Sequence, residues 1–240
     1  MSLAVVIPAY NAERHLGDVL DRLERAAPAG LSSIVLVDDG STDGTRRVSE
    51  ARARSNALIE VVGRARNGGY GAAMKDGLER ARQRGAERVA CVHADGQYGP
   101  EVLPALLRTL EGKQLDLLQG SRIAGGSALS GGMPLYKFVG NALLNRLENL
   151  TLGLGLSDYH SGYLVYGSRT LSTVPFRELS DSFDFDLEVI ASARARGLRV
   201  AEAPIPTHYG DEVSHLNPLG YGLRVLRVLY NYRRGLYDPS

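Results

Sequence analysis

Arg88-Val89-Ala90-Cys91-Val92-His93-Ala94-Asp95-Gly96-Gln97-Tyr98-Gly99-Pro100-Glu101 begins as a short apolar run and ends in a turn rich in Gly and Pro. The pattern predicts a buried strand that delivers Asp95 to the edge of a parallel sheet. Ligands in open α/β sheets gather outside the carboxyl ends of the strands. A carboxylate delivered there, with Gln97 following, is placed to hold a hard cation and a phosphate. The same residues also read as a turn in which Asp95 caps a helix starting near Gly99. The rest of the chain has to separate the two readings.

Outward from this stretch, continuous apolar runs recur at Leu3-Ala4-Val5-Val6-Ile7-Pro8, Ser33-Ile34-Val35-Leu36-Val37 and Leu58-Ile59-Glu60-Val61-Val62. Further runs follow at Leu115 to Gly120, Ser161 to Tyr166 and Leu198 to Ile205. Between them, apolar residues fall at helical spacing, as at Leu16, Val19, Leu20 and Leu23. Helices are expected to about Arg54, then over 72–84, 100–110, 135–152, 184–196 and 218–235. Strands alternating with helices, each strand a continuous apolar run, predict an α/β fold with a parallel sheet covered on both faces. No linker divides the chain, so residues 1–240 are expected to form a single domain.

Composition narrows the function classes. Hydrophobic residues make up 44% of the 240 and charged residues 23%, which suits a globular chain. A formal net charge of +1 supplies no global field for nucleic acid, so no nucleic-acid partner is expected. Cys91 is the only cysteine, which excludes an internal disulfide and a multi-cysteine metal site. The start is too short and uncharged for a signal peptide, and no apolar run reaches the roughly 20 residues of a membrane span. The expectation is a cytoplasmic protein, with a peripheral position at the inner face of a membrane left open.

Two glycine-loop readings fail. Asn67-Gly68-Gly69-Tyr70-Gly71 lacks the Gly-Lys-Ser/Thr ending of a phosphate-binding Walker loop. A dinucleotide fingerprint should follow the first strand, where Pro8-Ala9-Tyr10 stands instead. The loop reads as a strand-to-helix turn that needs glycine dihedrals and lets a nucleotide approach the backbone.

One ordered set of motifs is specific. It comprises Val6-Ile7-Pro8-Ala9-Tyr10-Asn11, Val37-Asp38-Asp39-Gly40-Ser41-Thr42-Asp43-Gly44-Thr45, Asn67-Gly68-Gly69, Ala94-Asp95-Gly96-Gln97 and Gly120-Ser121-Arg122. It resembles the family-two glycosyltransferases of the GT-A fold, and within them the dolichol- and polyprenol-phosphate sugar synthases. Asp158, Ser161-Gly162-Tyr163 and Phe183-Asp184-Phe185-Asp186-Leu187-Glu188 extend the resemblance more weakly. It implies a nucleotide-sugar-binding half over 1–122 and an acceptor-side half over 123–240.

The resemblance implies roles position by position. Pro8, Ala9 and Tyr10 would line the pocket for the base, with Tyr10 offering a ring face. Asp39 would accept hydrogen bonds from base or ribose, while Asp38 braces the turn. Ala94 and Asp95 match the last two places of the family's Asp-x-Asp motif. Asp95 would hold Mg²⁺ or Mn²⁺ on the donor diphosphate, and so assist its departure. Gln97 would bind donor phosphate or sugar, and Arg122 phosphate. Asp158 matches the candidate base near the acceptor, needed for a hydroxyl but not for a phosphate, which is already anionic. The glycine-rich residues 123–133 would close over the donor and exclude water.

The implied activity is an inverting, metal-dependent hexosyltransferase. Its donor would be of the GDP-mannose or UDP-glucose type and its leading acceptor a polyprenyl or dolichyl phosphate. Transfer to a glycan or metabolite hydroxyl, and a non-catalytic nucleotide-sugar-binding protein, are the alternatives.

Three places depart from the family pattern. His93 replaces the first aspartate of Asp-x-Asp. It lies two residues before Asp95 and shares its side of the strand, so it is expected to contact metal or donor, or else to be a core histidine. The Glu that the synthases carry four residues after their first Pro is replaced by Ala12, with Glu13 one further on. Their basic late loop here reads Thr207-His208-Tyr209-Gly210-Asp211-Glu212-Val213-Ser214-His215, leaving Ser214, His208 and His215 to contact phosphate.

The last helix is expected to be amphipathic. Arg224, Arg227 and Arg234 fall close together on a helical wheel, and Leu219, Leu223, Val225, Leu226, Val228, Leu229 and Tyr230 cover much of the remaining arc. It reads either as a helix packed on the domain with a basic stripe outside, or as an interfacial helix approaching anionic lipid.

Overall fold

The computed structural model describes residues 1–126, 132–206 and 218–239. Seven strands form one sheet: β1 (Leu3–Ala9), β2 (Leu31–Asp38), β3 (Ile59–Gly63), β4 (Arg88–Cys91), β5 (Leu117–Ser121), β6 (Leu164–Tyr166) and β7 (Val200–Pro204). Their order is β3-β2-β1-β4-β6-β5-β7. β1 pairs in parallel with β2 and β4, β2 with β3, and β5 with β7. β6 runs antiparallel to both of its neighbours, so the sheet is mixed though mostly parallel. The physical reason is the route of the chain. After β5 it makes a long excursion on the ligand side of the sheet, and it re-enters from there.

Eight α-helices surround the sheet among the described residues: α1 (Glu13–Ala26), α2 (Thr45–Ser55), α3 (Tyr70–Gln83), α4 (Leu103–Gly112), α5 (Leu135–Leu152), α6 (Ser168–Thr173), α7 (Phe185–Ala195) and α8 (Pro218–Arg233). The short α6 is the one helix absent from the sequence reading. Strand side chains alternate between the faces. Val5, Ile7, Ile34, Leu36, Ala90 and Val92 pack with Leu16, Leu20 and Leu23 of α1 and Leu103, Leu106 and Leu110 of α4. Val6, Val35, Val37, Val89 and Cys91 pack on the other face with Met74 and Leu78 of α3 and Val189 and Ile190 of α7. Both faces of the inner strands are buried, which explains their apolar runs, whereas the edge strands β3 and β7 are partly exposed and carry Glu60 and Glu202.

This topology places the site. From β1 the chain winds outward through β2 and β3, then returns to add β4 on the other side of β1. The reversal opens a crevice where β1 and β4 end, the position at which such sheets receive ligands. Ala9 ends β1 and Tyr10 follows it, while His93-Ala94-Asp95 lie just beyond β4. Helix α8 buries Val225, Val228 and Leu229, while Leu223, Leu226 and Tyr230 remain exposed.

Candidate active site

The two turns after β1 and β2 are tied to each other. Asn11 donates its main-chain N–H to Ser41 Oγ (3.0 Å), and its side-chain oxygen accepts from Thr42 N (2.9 Å). Ala9 is buried, Pro8 is partly covered and Tyr10 is exposed, so the Tyr10 ring is open to a ligand. Asp38 Oδ1 accepts from Ser41 N (3.1 Å) and braces its own turn. Glu13 reaches the same region, accepting from Gly44 N (2.9 Å) and pairing with Arg47 (2.6 Å).

Asp39 is 3% exposed, and the chain itself uses both of its carboxylate oxygens. Gly68 N donates to Oδ1 (3.0 Å), Gly69 N to Oδ2 (2.9 Å), and Arg64 Nε lies 2.8 Å from Oδ1. Gly69 has φ +100°, a left-handed value that favours glycine, and an added Cβ would strike Asp181 O. The resemblance offers this carboxylate to base or ribose; within the chain Asp39 also sets the shape of the glycine loop.

Beyond β4, Asp95 Oδ1 accepts from Gln97 N (2.9 Å), closing a tight Asx turn. Ala94 is buried, while Asp95 and Gln97 are partly open. Asp95 could therefore offer Oδ2 to a cation. His93 is held from below. Its Nε2 lies 3.1 Å from Gly162 O, and its ring sits between Tyr70 (5.7 Å) and Tyr98 (5.5 Å, edge-on). A nitrogen that donates to a carbonyl cannot ligate a cation through the same atom. Gly162 has φ +73°, and a Cβ there would come within 2.7 Å of His93 Nε2. Under this floor Tyr70 Oη donates to Asp186 Oδ2 (2.8 Å), and Asp186 Oδ1 has no hydrogen-bond partner among the described residues. Burial raises the Asp186 carboxyl to about 7, with the Tyr70 hydrogen bond opposing.

The loops after β5 and before β6 meet at Arg122 and Asp158. Arg122 Nε donates to Asp158 Oδ2 (2.7 Å), Nη2 to Oδ1 (2.9 Å), and the Arg122 main-chain N to Oδ2 (3.0 Å). The His160 main-chain N adds a fourth hydrogen bond (3.0 Å), and Arg122 Nη1 reaches Tyr98 Oη (3.3 Å). Asp158 is fully buried. Desolvation pushes its carboxyl up, but the Arg122 hydrogen bonds and charge, aided by His160, hold it below the usual carboxylate range. Asp158 is thus an enclosed, weakly basic anion.

Sequence reasoning passed over the inner face of α5. Asn145 Nδ2 donates to Ser157 O (2.5 Å) and Asn149 Nδ2 to Leu156 O (2.7 Å), so the helix grips the loop that carries Asp158. The available signal was Asn145, Glu148 and Asn149 at spacing i, i+3, i+4 within a leucine-rich helix. Ser214, His208 and His215 lie outside the described residues, as do 127–131 of the glycine-rich segment.

Residues 4–174 match Glycosyl transferase family 2. The chain belongs to that family. This glycosyltransferase is 33% identical over 231 residues to the low-salt glycan biosynthesis hexosyltransferase Agl6 of Haloferax volcanii, covering 95% of the chain but only about half (53%) of Agl6. It is 31% identical to the undecaprenyl-phosphate mannosyltransferase of Micrococcus luteus, over 85% of the chain and 83% of that protein. With the polyprenol monophosphomannose synthase of Mycolicibacterium smegmatis it shares 30% identity, over 84% and 75%. In three dimensions it superposes on glucosyl-3-phosphoglycerate synthase of Mycobacterium tuberculosis, solved with Mn²⁺, UDP and glucosyl-3-phosphoglycerate. The TM-score is 0.70 at 18% identity, covering 100% of this chain and 81% of that one. This last likeness concerns the fold, which is GT-A.

Among the described residues of the glycosyltransferase, no three His, Cys, Asp or Glu side chains cluster as a cage for a metal. The donor set at Asp95 is one carboxylate beside an open crevice. That chemistry fits Mg²⁺ or Mn²⁺, which are commonly bound through one or two carboxylates plus substrate phosphates.

Proposed function

We propose that the chain is an inverting, metal-dependent hexosyltransferase that moves a sugar from a nucleotide-sugar, of the GDP-mannose or UDP-glucose type, to a polyprenyl or dolichyl phosphate. The observation that carries this reading is the Arg122–Asp158 pair. A hydroxyl acceptor needs a base at its attacking oxygen. Asp158 is buried, accepts four hydrogen bonds and is held at a low pKa, so it is poorly suited to take a proton. A phosphate acceptor needs no base. Its oxygen attacks the anomeric carbon from the face opposite the leaving group, and the sugar–oxygen bond to the donor breaks. The electron pair departs with the nucleoside diphosphate, and the configuration inverts. The names of the polyprenol-phosphate relatives point the same way.

In this reading residues 1–122 bind the donor and 123–240 serve the acceptor. Tyr10 and the glycine loop shaped by Asp39 receive the nucleoside, and Gln97 the phosphate or sugar. Asp95 would hold the cation, which when bound stabilises charge on the departing diphosphate. Arg122 contributes positive charge beside it. A groove of about 470 Å³ runs from Ile123 to Ser157, the neighbours of Arg122 and Asp158, and is lined by Phe138, Leu150 and Leu156 with Arg146 also on its wall. A largely apolar groove that reaches the sequence neighbours of the Arg122–Asp158 pair would suit the first units of a prenyl chain.

In this reading the chain sits peripherally at the cytoplasmic face of a membrane, and the exposed faces of α5 and α8 support the membrane contact. Leu135, Tyr136, Val139, Leu143 and Leu150 are exposed on α5, and Leu223, Leu226 and Tyr230 on α8. Arg146 and Arg227 are exposed on the same helices. No described helix is long and apolar enough to cross a membrane.

The deciding experiment offers GDP-mannose or UDP-glucose with Mn²⁺ to the protein, together with undecaprenyl phosphate or a free oligosaccharide. Sugar should appear on the lipid phosphate and not on the oligosaccharide. The opposite pattern would overturn the acceptor assignment.

A further inference from the structure

Glu148 lies in the middle of α5, between the two asparagines that grip the Asp158 loop. Both ends of each asparagine amide are engaged in that grip. Asn145 also accepts from Tyr159 N (3.3 Å), and Asn149 from Tyr159 Oη (2.7 Å). Glu148 contributes nothing to that grip. It is completely buried, and among the described residues neither carboxylate oxygen receives a well-formed hydrogen bond. The group facing it is His160, whose Nε2 lies 3.2 Å from Glu148 Oε2. The other imidazole nitrogen, Nδ1, lies 2.9 Å from Tyr221 Oη of α8, and the two rings meet edge to face. The main-chain N–H of the same histidine donates to Asp158 Oδ1.

A carboxylate in a dry interior is costly, and an apolar or amide side chain at 148 would let the asparagines hold the loop without that cost. The charge at 148 acts instead on His160. A carboxylate against Nε2 favours the tautomer protonated there, which leaves Nδ1 to accept from the Tyr221 hydroxyl. In that arrangement α5, the Asp158 loop and α8 meet at one imidazole ring.

We propose that Glu148, acting through His160, is a positioning residue for sugar transfer. It fixes the imidazole between α5 and Tyr221, and thereby the His160 N–H on Asp158 and the orientation of Arg122. The inference rests on the reading above, in which Arg122 and Asp158 stand at the reaction centre. Neither Glu148 nor His160 touches the reacting atoms in this scheme. Their effect falls on turnover and not on capture of the nucleotide-sugar.

The test uses the full chain with Glu148→Gln, which keeps the shape and removes the charge. His160→Asn is the second variant, since its amide can keep a contact near Tyr221 while losing the one to Glu148. Each should lower kcat for transfer about 10- to 100-fold, the range typical of residues that orient a site from behind. KM for the nucleotide-sugar and donor binding by calorimetry should stay near wild type in both, and Tm should hold in Glu148→Gln, whereas His160→Asn leaves the Glu148 carboxylate buried without its partner and should lower Tm. The double variant should be no worse than the poorer single one, because both remove the same constraint. Nitrogen-15 spectra of the imidazoles should show His160 protonated at Nε2 in the wild type and lose that preference in Glu148→Gln.

Unchanged kcat in Glu148→Gln would overturn the proposal. So would a loss in that variant that tracks donor KM or Tm, or a His160 protonated at Nδ1 alone. If the wild type transfers nothing to a polyprenyl phosphate, the acceptor reading fails separately. The same kcat split, measured on donor hydrolysis, and the nitrogen spectrum then decide the role of Glu148.

Discussion

The Arg122 guanidinium and the Asp158 carboxylate form a two-point buried pair, with Nε–Oδ2 at 2.7 Å and Nη2–Oδ1 at 2.9 Å. Residues 36 apart in sequence meet there, so the pair is a structural tie, and in the proposed reading it stands at the reaction centre. Removing one partner of such a pair leaves an uncompensated buried charge, which costs roughly 3–5 kcal/mol. Arg122→Met should lose stability of that order in urea unfolding. Adding Asp158→Leu should recover only part of it, because two apolar groups replace both charges but the main-chain N–H groups of Arg122 and His160 lose their acceptor. The double variant should nevertheless be inactive in transfer. Recovered activity would show that the pair serves stability alone.

Asp95 is expected to behave differently, because its carboxylate is partly open and its one internal hydrogen bond comes from Gln97 N. Asp95→Asn keeps an acceptor for that N–H, so Tm should hold. Transfer should fall at least about 100-fold, the scale of losing a charge-stabilising group at a leaving oxygen. A chelator should silence the wild type, and added Mn²⁺ should restore it. The same titration on Asp95→Asn should restore little. Full activity of the wild type in excess chelator would refute the metal assignment.

These two sites differ in how far the sequence exposes them. Asp95 follows an apolar run and precedes a Gly-Pro turn, so its place at a strand end is written locally. The Arg122–Asp158 pair is not, because each residue reads as polar turn chemistry until the fold joins them. Asp39 shows the same limit: its partners Gly68 and Gly69 lie 29 and 30 residues away, and no local pattern links them. Most of the sheet was legible because strands buried on both faces must be continuously apolar. The direction of β6 was not, since Leu164–Tyr166 is buried on both faces and carries no directional signal. The late phosphate-contact candidates Ser214, His208 and His215 stay as sequence expectations.

Asp186 should make stability depend on pH. Its carboxyl is raised by burial from 3.8 to about 7. Between those values the native state keeps a proton that the unfolded chain has released. Stability should therefore fall as pH rises from about 4 to 7 and level off above that. The full displacement corresponds to at most about 4 kcal/mol, at 1.36 kcal/mol per tenfold change in proton affinity. Asp186→Asn carries no such loss and still accepts from Tyr70. It should match the wild type near pH 4 and exceed it by about 1–4 kcal/mol at pH 8 in urea unfolding. An equal difference at both pH values would mean that Asp186 does not titrate as its surroundings require.

The exposed leucines of α5 and α8 give the membrane reading a test that leaves the core intact. Cutting the chain before Pro218 would delete Val225, Val228 and Leu229, which are buried, so truncation would confuse folding with binding. Leu143 and Leu226 are 64% and 49% exposed, and charging them removes surface contacts only. On vesicles containing anionic lipid, the wild type should float, and added salt should weaken its binding through the arginines. Leu143→Glu with Leu226→Glu should stay at the bottom of the gradient with Tm and donor binding unchanged. Each fully inserted leucine contributes roughly 1.5–3 kcal/mol, so two should lower partitioning by at least about 100-fold. Transfer to a short, water-soluble polyprenyl phosphate should survive in that variant, whereas transfer to the long lipid in vesicles should collapse. A wild type that remains in solution with every vesicle composition would end the membrane reading, and the exposed faces of α5 and α8 would then need another partner.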